Sequence, residues 1–303
     1  MRAQVDNLNA AIDLRILYHV VTKNINFAME VTTRTRQDVQ GGTLVGYEGK
    51  YRLLEASQVL DEHLDAFKSL KNFPLWVTNN LWVSLKEIKA ALAAGTIQPP
   101  VIVTERVIRG GSDDAGGGER GGTGSSAAAG GGGGGGAPPD QTRTPLGAAQ
   151  GGAGIPILEL ETAAGAAIEF FSNAVGIHVP RMRFLPVKNT GDLFAVQSNL
   201  FDIKHGLLQL SPLRGINTLP IIRLGPEFST LEAFIERIHS DGTLPDILEA
   251  DHITITGNVY LGKGVVLRGS VVIVAAEGSR IDIPAKSELE NVVCTGSLRL
   301  LTT

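Results

Sequence analysis

This chain of 303 residues has little with which to staple, anchor or charge itself. Cys294 is its one cysteine, so an intrachain disulfide is excluded and a reducing compartment is the natural setting. No apolar run reaches the ~20 residues of a membrane-spanning helix, and the first residues lack the charged-then-apolar order of a secretory signal. The expectation is a soluble, cytoplasmic protein. A net charge of −4 and a pI near 5.9 give no bulk attraction to nucleic acid or anionic membrane. Any phosphate site must therefore be local. The six histidines show no metal-ligand spacing. No nucleophile–base pair is evident either.

Glycine is abundant in one place only. About half of the 37 glycines fall between Arg109 and Gly154, including the pure run Gly130–Gly136. The other half is an ordinary share for the rest of the chain. A segment with so few side chains to bury reads as a disordered surface insert. Arg109-Gly110-Gly111 and Arg120-Gly121-Gly122 look like RNA-binding repeats, but two copies offset by Asp113, Asp114 and Glu119 do not make a basic tract.

Residues 1–108 alternate helix-like and strand-like patterns. Leu14, Ile16, Leu17 and Val20 fit a helix face, and Phe27–Val31 fits a strand. Thr43–Tyr47 and Tyr51–Glu55 fit two strands joined by a turn at Glu48-Gly49. Ser84 and Glu87 have capping-box spacing before a helix running to Leu92, as do Ser229 and Glu232 before Leu231, Phe234, Ile235 and Ile238. Leu158–Leu160 reads as a strand and Thr162–Val175 as a helix. Two interlaced apolar series then recur every six residues: Ile253, Val259, Val265, Val271 and Ile255, Leu261, Leu267, Ile273. With Gly257 and Gly269 between them, they describe short strands winding a parallel β-helix, whose ends need a cap or a second copy. The expected organisation is an α/β part at 1–108, the insert at 109–154, more α/β at 155–245 and the coil at 246–303.

Phe184-Leu185-Pro186-Val187-Lys188 sets one cation at the end of a stiff apolar segment. A lysine held that way is a fixed point charge suited to a phosphate; the plainer alternative is a strand-capping lysine pointing to water. Before it, in order, come Asp6-Asn7-Leu8, Gly41-Gly42-Thr43-Leu44, Leu53-Leu54-Glu55, Thr78-Asn79-Asn80-Leu81-Trp82, Glu161–Ala167 and Arg181-Met182-Arg183. This order resembles the eukaryotic-type UTP–glucose-1-phosphate uridylyltransferases, also called UDP-glucose pyrophosphorylases, over nearly the whole chain apart from the insert.

The resemblance implies a nucleotide-diphospho-sugar transferase-like α/β fold, with a mixed, mostly parallel sheet and helices, followed by a left-handed parallel β-helix. It implies UTP and glucose 1-phosphate as substrates, Mg²⁺ as cofactor and a homo-oligomer through the coil, with no nucleic acid or membrane partner. Lys188 matches the family's phosphate-contacting lysine, and Asp6 its metal-binding aspartate. Asn7 belongs to the same substrate-binding segment. Asp6 can also be read as a cap for the helix after Ile12. Gln4 and Asn9 depart from the family segment, which puts ribose contact in doubt. Gly42, Glu55 and Asn79 match sugar-contacting positions, supplying a close backbone, a carboxylate and an amide for a hexose. Asn80 is a further candidate, unless one of the two asparagines caps a following helix. Arg181 and Arg183 can serve phosphate or internal ion pairs, and Glu161 and Thr162 can fix a helix start.

The family has a nucleotide-binding half with a Gly-rich loop before the Asp6 region. The reading expects this chain to be an incomplete fragment, silent with UTP by itself. Alternatives are a UDP-N-acetylhexosamine pyrophosphorylase, a non-catalytic structural or oligomerisation subunit, and a hexapeptide-repeat acyltransferase, for which the coils are too few.

Overall fold

A computed structural model describes residues 1–35, 38, 41–108, 155–238 and 242–296, with side chains left out at 104–108. The insert at 109–154, with its Arg-Gly-Gly copies, lies outside the described residues. The chain divides into two compact units, Met1–Pro100 with Thr162–Thr303, and Val101–Glu161. The expected borders at 108/155 and 245/246 do not coincide with this division.

In the first unit, α1 (Leu14–Thr22) starts where Asp13 accepts a hydrogen bond from the Arg15 N–H. Ile16 is buried, whereas Leu14 and Leu17 are exposed, so the expected face is only partly used. β1 (Phe27–Thr33) is buried at every position but its last. It therefore lies in the middle of its sheet. β2 (Gly42–Tyr47) and β3 (Lys50–Glu55) form the expected hairpin, in which Glu48 and Gly49 both take positive φ, at 50° and 74°. After the short α2 (Leu64–Lys68), β4 (Leu75–Val83) pairs antiparallel with β1. Ser84 Oγ accepts from the Glu87 N–H to start α3 (Leu85–Ala93).

β5 (Ile102–Ile108) and β6 (Ile155–Glu161) are an antiparallel hairpin that constitutes the described part of the second unit.

Back in the first unit, the helix expected over Thr162–Val175 is instead a 3-10 helix, Ala164–Phe170, followed by β7 (Ala174–His178). Ala163 precedes that helix without a side-chain cap, so Glu161 and Thr162 do not fix its start. β7 is drawn into strand because it pairs parallel with β1, Phe27 against Ala174. The sheet order is β4-β1-β7, with one antiparallel and one parallel pairing. The sheet is mixed as expected; a parallel majority is not found among its described pairings.

α4 (Thr190–Gln197), β8 (Phe201–Lys204), β9 (Leu207–Leu210), β10 (Ile221–Leu224) and α5 (Leu231–Ile238) follow. Thr230, not Ser229, caps α5 by accepting from the Ala233 N–H. Only Phe234 and Ile238 of its apolar set are buried. β11 (Ala250–Thr256), β12 (Asn258–Leu261), β13 (Val266–Val274), β14 (Arg280–Ile283) and β15 (Glu288–Thr295) make parallel ladders β10-β11-β13-β15 and β12-β14. Every member of the two six-residue series is at most 3% exposed. Ile253 pairs with Val271, and Ile255 with Ile273, each eighteen positions on. Their core is continuous with Phe194, Phe228 and Phe234. Among the described residues no helix is long and apolar enough to cross a membrane.

Candidate functional site

Two segments far apart in sequence are sewn together by their backbones. The Val187 N–H donates to Asp6 O at 3.0 Å, the Leu8 N–H donates to Leu185 O at 3.1 Å, and Asn7 pairs with Pro186. The Asp6 loop thus runs against the segment that ends in Lys188. Lys188 is exposed, and its backbone is pinned from below. Asp192 Oδ2 accepts from the Lys188 N–H at 2.9 Å and from the Asn189 N–H at 3.2 Å, while Asn189 returns the bond as the cap of α4. Burial pushes the Asp192 carboxyl above its ordinary value and the nearby Asp6 charge adds to this, against the pull of those N–H groups and the Lys188 charge. Asp6 Oδ1 is itself buried, with no hydrogen-bond partner among the described residues. No group of three or more His, Cys, Asp or Glu side chains able to hold a metal occurs among them.

A buried carboxylate underlies this junction. Glu30 is fully buried at the centre of β1. Its carboxylate accepts from Arg183 at 2.7 and 2.9 Å, from Asn80 Nδ2 at 3.0 Å and from Trp82 Nε1 at 2.8 Å. A buried charge is tolerable when it is paired in this way and its remaining lone pairs are met. The β1–β4 register slips at this point, Met29 facing Leu81 and Val31 facing Val77, so β4 bulges over Glu30. Asn79 sits at the crest of the bulge with φ +57°, a left-handed conformation that Asn tolerates better than most residues. Neither asparagine caps a helix; both lie within β4.

The sequence-predicted residues then separate into two groups. Asn7 and Asn80 are positioning residues, which corrects the expectation that they touch substrate. Asn7 Nδ2 donates to Arg183 O and Asn80 Oδ1, and Asn7 Oδ1 accepts from the Leu185 N–H. Asn80 is fully buried between Asn7 and Glu30, so neither amide is left for a hexose. Gly42 is buried too: a Cβ there would lie 2.8 Å from Leu53 and 2.9 Å from Glu55. The hairpin partner fills that space, which by itself requires glycine there. Arg181 and Arg183 are held by Asp38 and Glu30 in internal ion pairs. Asn9 does not crowd its loop; it ties it down, with Nδ2 donating to Met182 O and Leu208 O and Oδ1 accepting from the Leu208 N–H.

Asp6, Glu55, Asn79 and Lys188 keep a solvent-facing aspect. Contacts join Asn79, the turn carrying Asp6 and the Lys188 segment. Glu55 caps the turn Ala56–Gln58 and backs onto Gly42. A Cβ on Gly165 would meet Leu53 at 3.0 Å and Asn79 Oδ1 at 3.8 Å. Asn79 Nδ2 donates to Gln4 Oε1 at 3.3 Å, and the Gln4 carbonyl accepts from the Asn7 N–H at the turn carrying Asp6. A cavity of about 620 Å³ beside the hairpin, between Tyr47, Arg52, Gln58 and Glu169, contains none of the four. Its exposed walls are largely apolar, with the Arg52–Glu169 ion pair in its lining.

Sequence reasoning missed Glu30, Asp192 and Gly165. A lone acid inside Phe-Ala-Met-Glu-Val was the available signal for the first, and Asn189-x-x-Asp192 spacing for the second. Gly165 lay inside the Glu161–Ala167 motif, where its residue type alone did not mark it out for a role.

The family model for UTP–glucose-1-phosphate uridylyltransferase matches residues 3–114 and 148–268. The chain is 42% identical to the UTP–glucose-1-phosphate uridylyltransferase of Saccharomyces cerevisiae and 40% identical to a probable one of Schizosaccharomyces pombe. These alignments cover 98% and 99% of the chain but 50% and 51% of the relatives. The chain thus spans about half the length of the curated relatives it matches. Among solved structures it is similar to a variant UDP-glucose pyrophosphorylase from Leishmania major crystallised with UDP-glucose, at TM-score 0.72 and 26% identity, covering 97% of this chain and 56% of that one. A UDP-glucose phosphorylase from Trypanosoma brucei gives TM-score 0.73 at 26% identity, covering 97% and 55%.

Proposed function

The chain belongs to the UTP–glucose-1-phosphate uridylyltransferase family, and from that premise we propose that it serves the formation of UDP-glucose and pyrophosphate from UTP and glucose 1-phosphate. The observation that carries this reading is the backbone junction that sets Lys188 beside the Asp6 loop, which in turn reaches Asn79 through Gln4. In the reaction a sugar-phosphate oxygen forms a bond to the α-phosphorus of UTP, while the bond from that phosphorus to the bridging oxygen breaks and pyrophosphate leaves with the electron pair. Such a displacement asks the protein to hold two polyanions in line and to neutralise charge, not to form covalent bonds.

Lys188 supplies a point charge whose backbone cannot drift, because Asp192 and α4 hold it. Asn79 and Glu55 orient the hexose hydroxyls. Asn7, Asn80, Glu30 and Arg183 are the frame beneath them. Asp6 is the residue that would hold a Mg²⁺, since an unpaired buried carboxylate oxygen suits a hard cation that takes its other ligands from phosphate and water. When bound, such an ion supplies Lewis-acid neutralisation of phosphate charge. We further read the ladders from β11 to β15 as a left-handed parallel β-helix whose end is completed by a second copy of the chain; the six-residue burial period and the parallel pairing support this.

Calorimetric titration of the chain with glucose 1-phosphate, UDP-glucose and pyrophosphate tests the assignment. Glu55→Ala and Asn79→Ala should weaken the two sugar ligands about tenfold and leave pyrophosphate alone. Lys188→Ala should weaken all three. Equal losses for pyrophosphate in the Glu55 and Asn79 variants would place the sugar site wrongly.

A further inference from the structure

The segment that carries Lys188 has its amides committed before any anion arrives. Three consecutive N–H groups are taken: that of Val187 by Asp6 O at 3.0 Å, and those of Lys188 and Asn189 both by Asp192 Oδ2, at 2.9 and 3.2 Å. This stretch of backbone offers a phosphate no donor, which leaves the Lys188 ammonium as its one cation. Two bonds to a single oxygen bracket the Lys188 Cα and so set where its side chain starts. Asn189 completes the arrangement by accepting from the Asp192 N–H at 3.0 Å, the other half of the cap on α4.

The same carboxylate has a second effect. Its charge lies close enough to Lys188 and to Asp6 to interact with both. A phosphate seated on Lys188 would stand within the ~10 Å over which charges are felt at moderate salt. Like charges at that range in a partly buried site repel. The hydrogen bonds of Asp192 therefore favour the anion, and its charge opposes it.

We propose that Asp192 is a positioning residue with two opposed effects on phosphate, aiming Lys188 through its hydrogen bonds and loosening the anion through its charge, so that pyrophosphate is bound in place yet released. This rests on the reading of Lys188 as the phosphate contact. Asparagine separates the two effects, because its side-chain oxygen can accept from both N–H groups while the charge is gone. Alanine removes both. Calorimetric titration of the chain with pyrophosphate at about pH 8, above the carboxylate range, reads the difference.

Asp192→Asn should bind pyrophosphate about threefold more tightly than the wild type. Asp192→Ala should bind it about tenfold more weakly than Asp192→Asn, although it loses the same charge. In a Lys188→Ala background that difference should vanish, which a general loosening of α4 would not produce. If Asp192→Ala does not fold, Asp192→Ser, too short to bracket Lys188, should show the same loss. Three results would overturn the inference while Lys188 stands as the phosphate contact: equal affinities in the asparagine and the alanine or serine variants, an asparagine variant weaker than the wild type, or a difference that persists without Lys188. Pyrophosphate binding unmoved by Lys188→Ala would overturn the reading of Lys188 as well.

Discussion

At the scale of single residues, the candidate site is held in place by buried groups. Glu30 is fully buried, yet it joins Arg183, Asn80 and Trp82 and so links β1, β4 and the segment leading to Lys188. Truncating it strands the Arg183 guanidinium, whose side chain is 15% exposed, without its carboxylate. Glu30→Ala should therefore cost about 3–5 kcal/mol of stability, with Glu30→Gln costing less, measured by urea unfolding. A loss within about 1 kcal/mol for the alanine variant would show that the network is dispensable. The sequence puts Lys188, Asp6, Glu55 and Asn79 forward because motif order and residue type converge on them, and the structure leaves each of the four a solvent-facing aspect. Asn7 and Asn80 belong to the same motifs, but whether an amide faces a ligand or a neighbour depends on which strand passes beneath it. No local pattern in Asp6-Asn7-Leu8 records that Arg183 and Leu185 will take up the Asn7 side chain.

Among the elements, those with strong periodicity were readable and those decided by a distant partner were not. The six-residue series in the last strands predicted burial position by position, because each strand carries its own inward face. Thr162–Val175 looked helical by its apolar spacing, yet from Ala174 the chain is a strand because β1 pairs with it. The turns between these strands show where glycine is indispensable. Gly257 and Gly264 both have positive φ, at 84° and 68°. A Cβ on Gly257 would stand 2.5 Å from Ala275 O, whereas Gly264 has nothing nearer than Lys286 Cγ at 3.9 Å. Gly264→Ala should cost about 1–2 kcal/mol for the left-handed conformation alone. Gly257→Ala should cost about 1–3 kcal/mol more, since backbone must move. Equal losses in thermal unfolding would mean that these turns can shift to admit a methyl group.

For the molecule as a whole, the long-range order of motifs proved more informative than any one of them. Residues as far apart as Asp6 and Val187 are neighbours because the Asp6 loop pairs with the Phe184–Lys188 segment and the Gln4 segment pairs with β4. Asn79, proposed for the sugar, and Lys188, proposed for the phosphate, consequently belong to one continuous frame. A crystal structure of the chain soaked with glucose 1-phosphate tests that claim most directly. The account predicts hexose hydroxyls within hydrogen-bond distance of Asn79 and Glu55 and the phosphate within reach of Lys188 Nζ. A sugar phosphate seated in the cavity between Tyr47, Arg52 and Glu169, or bound with its phosphate away from Lys188, would contradict it.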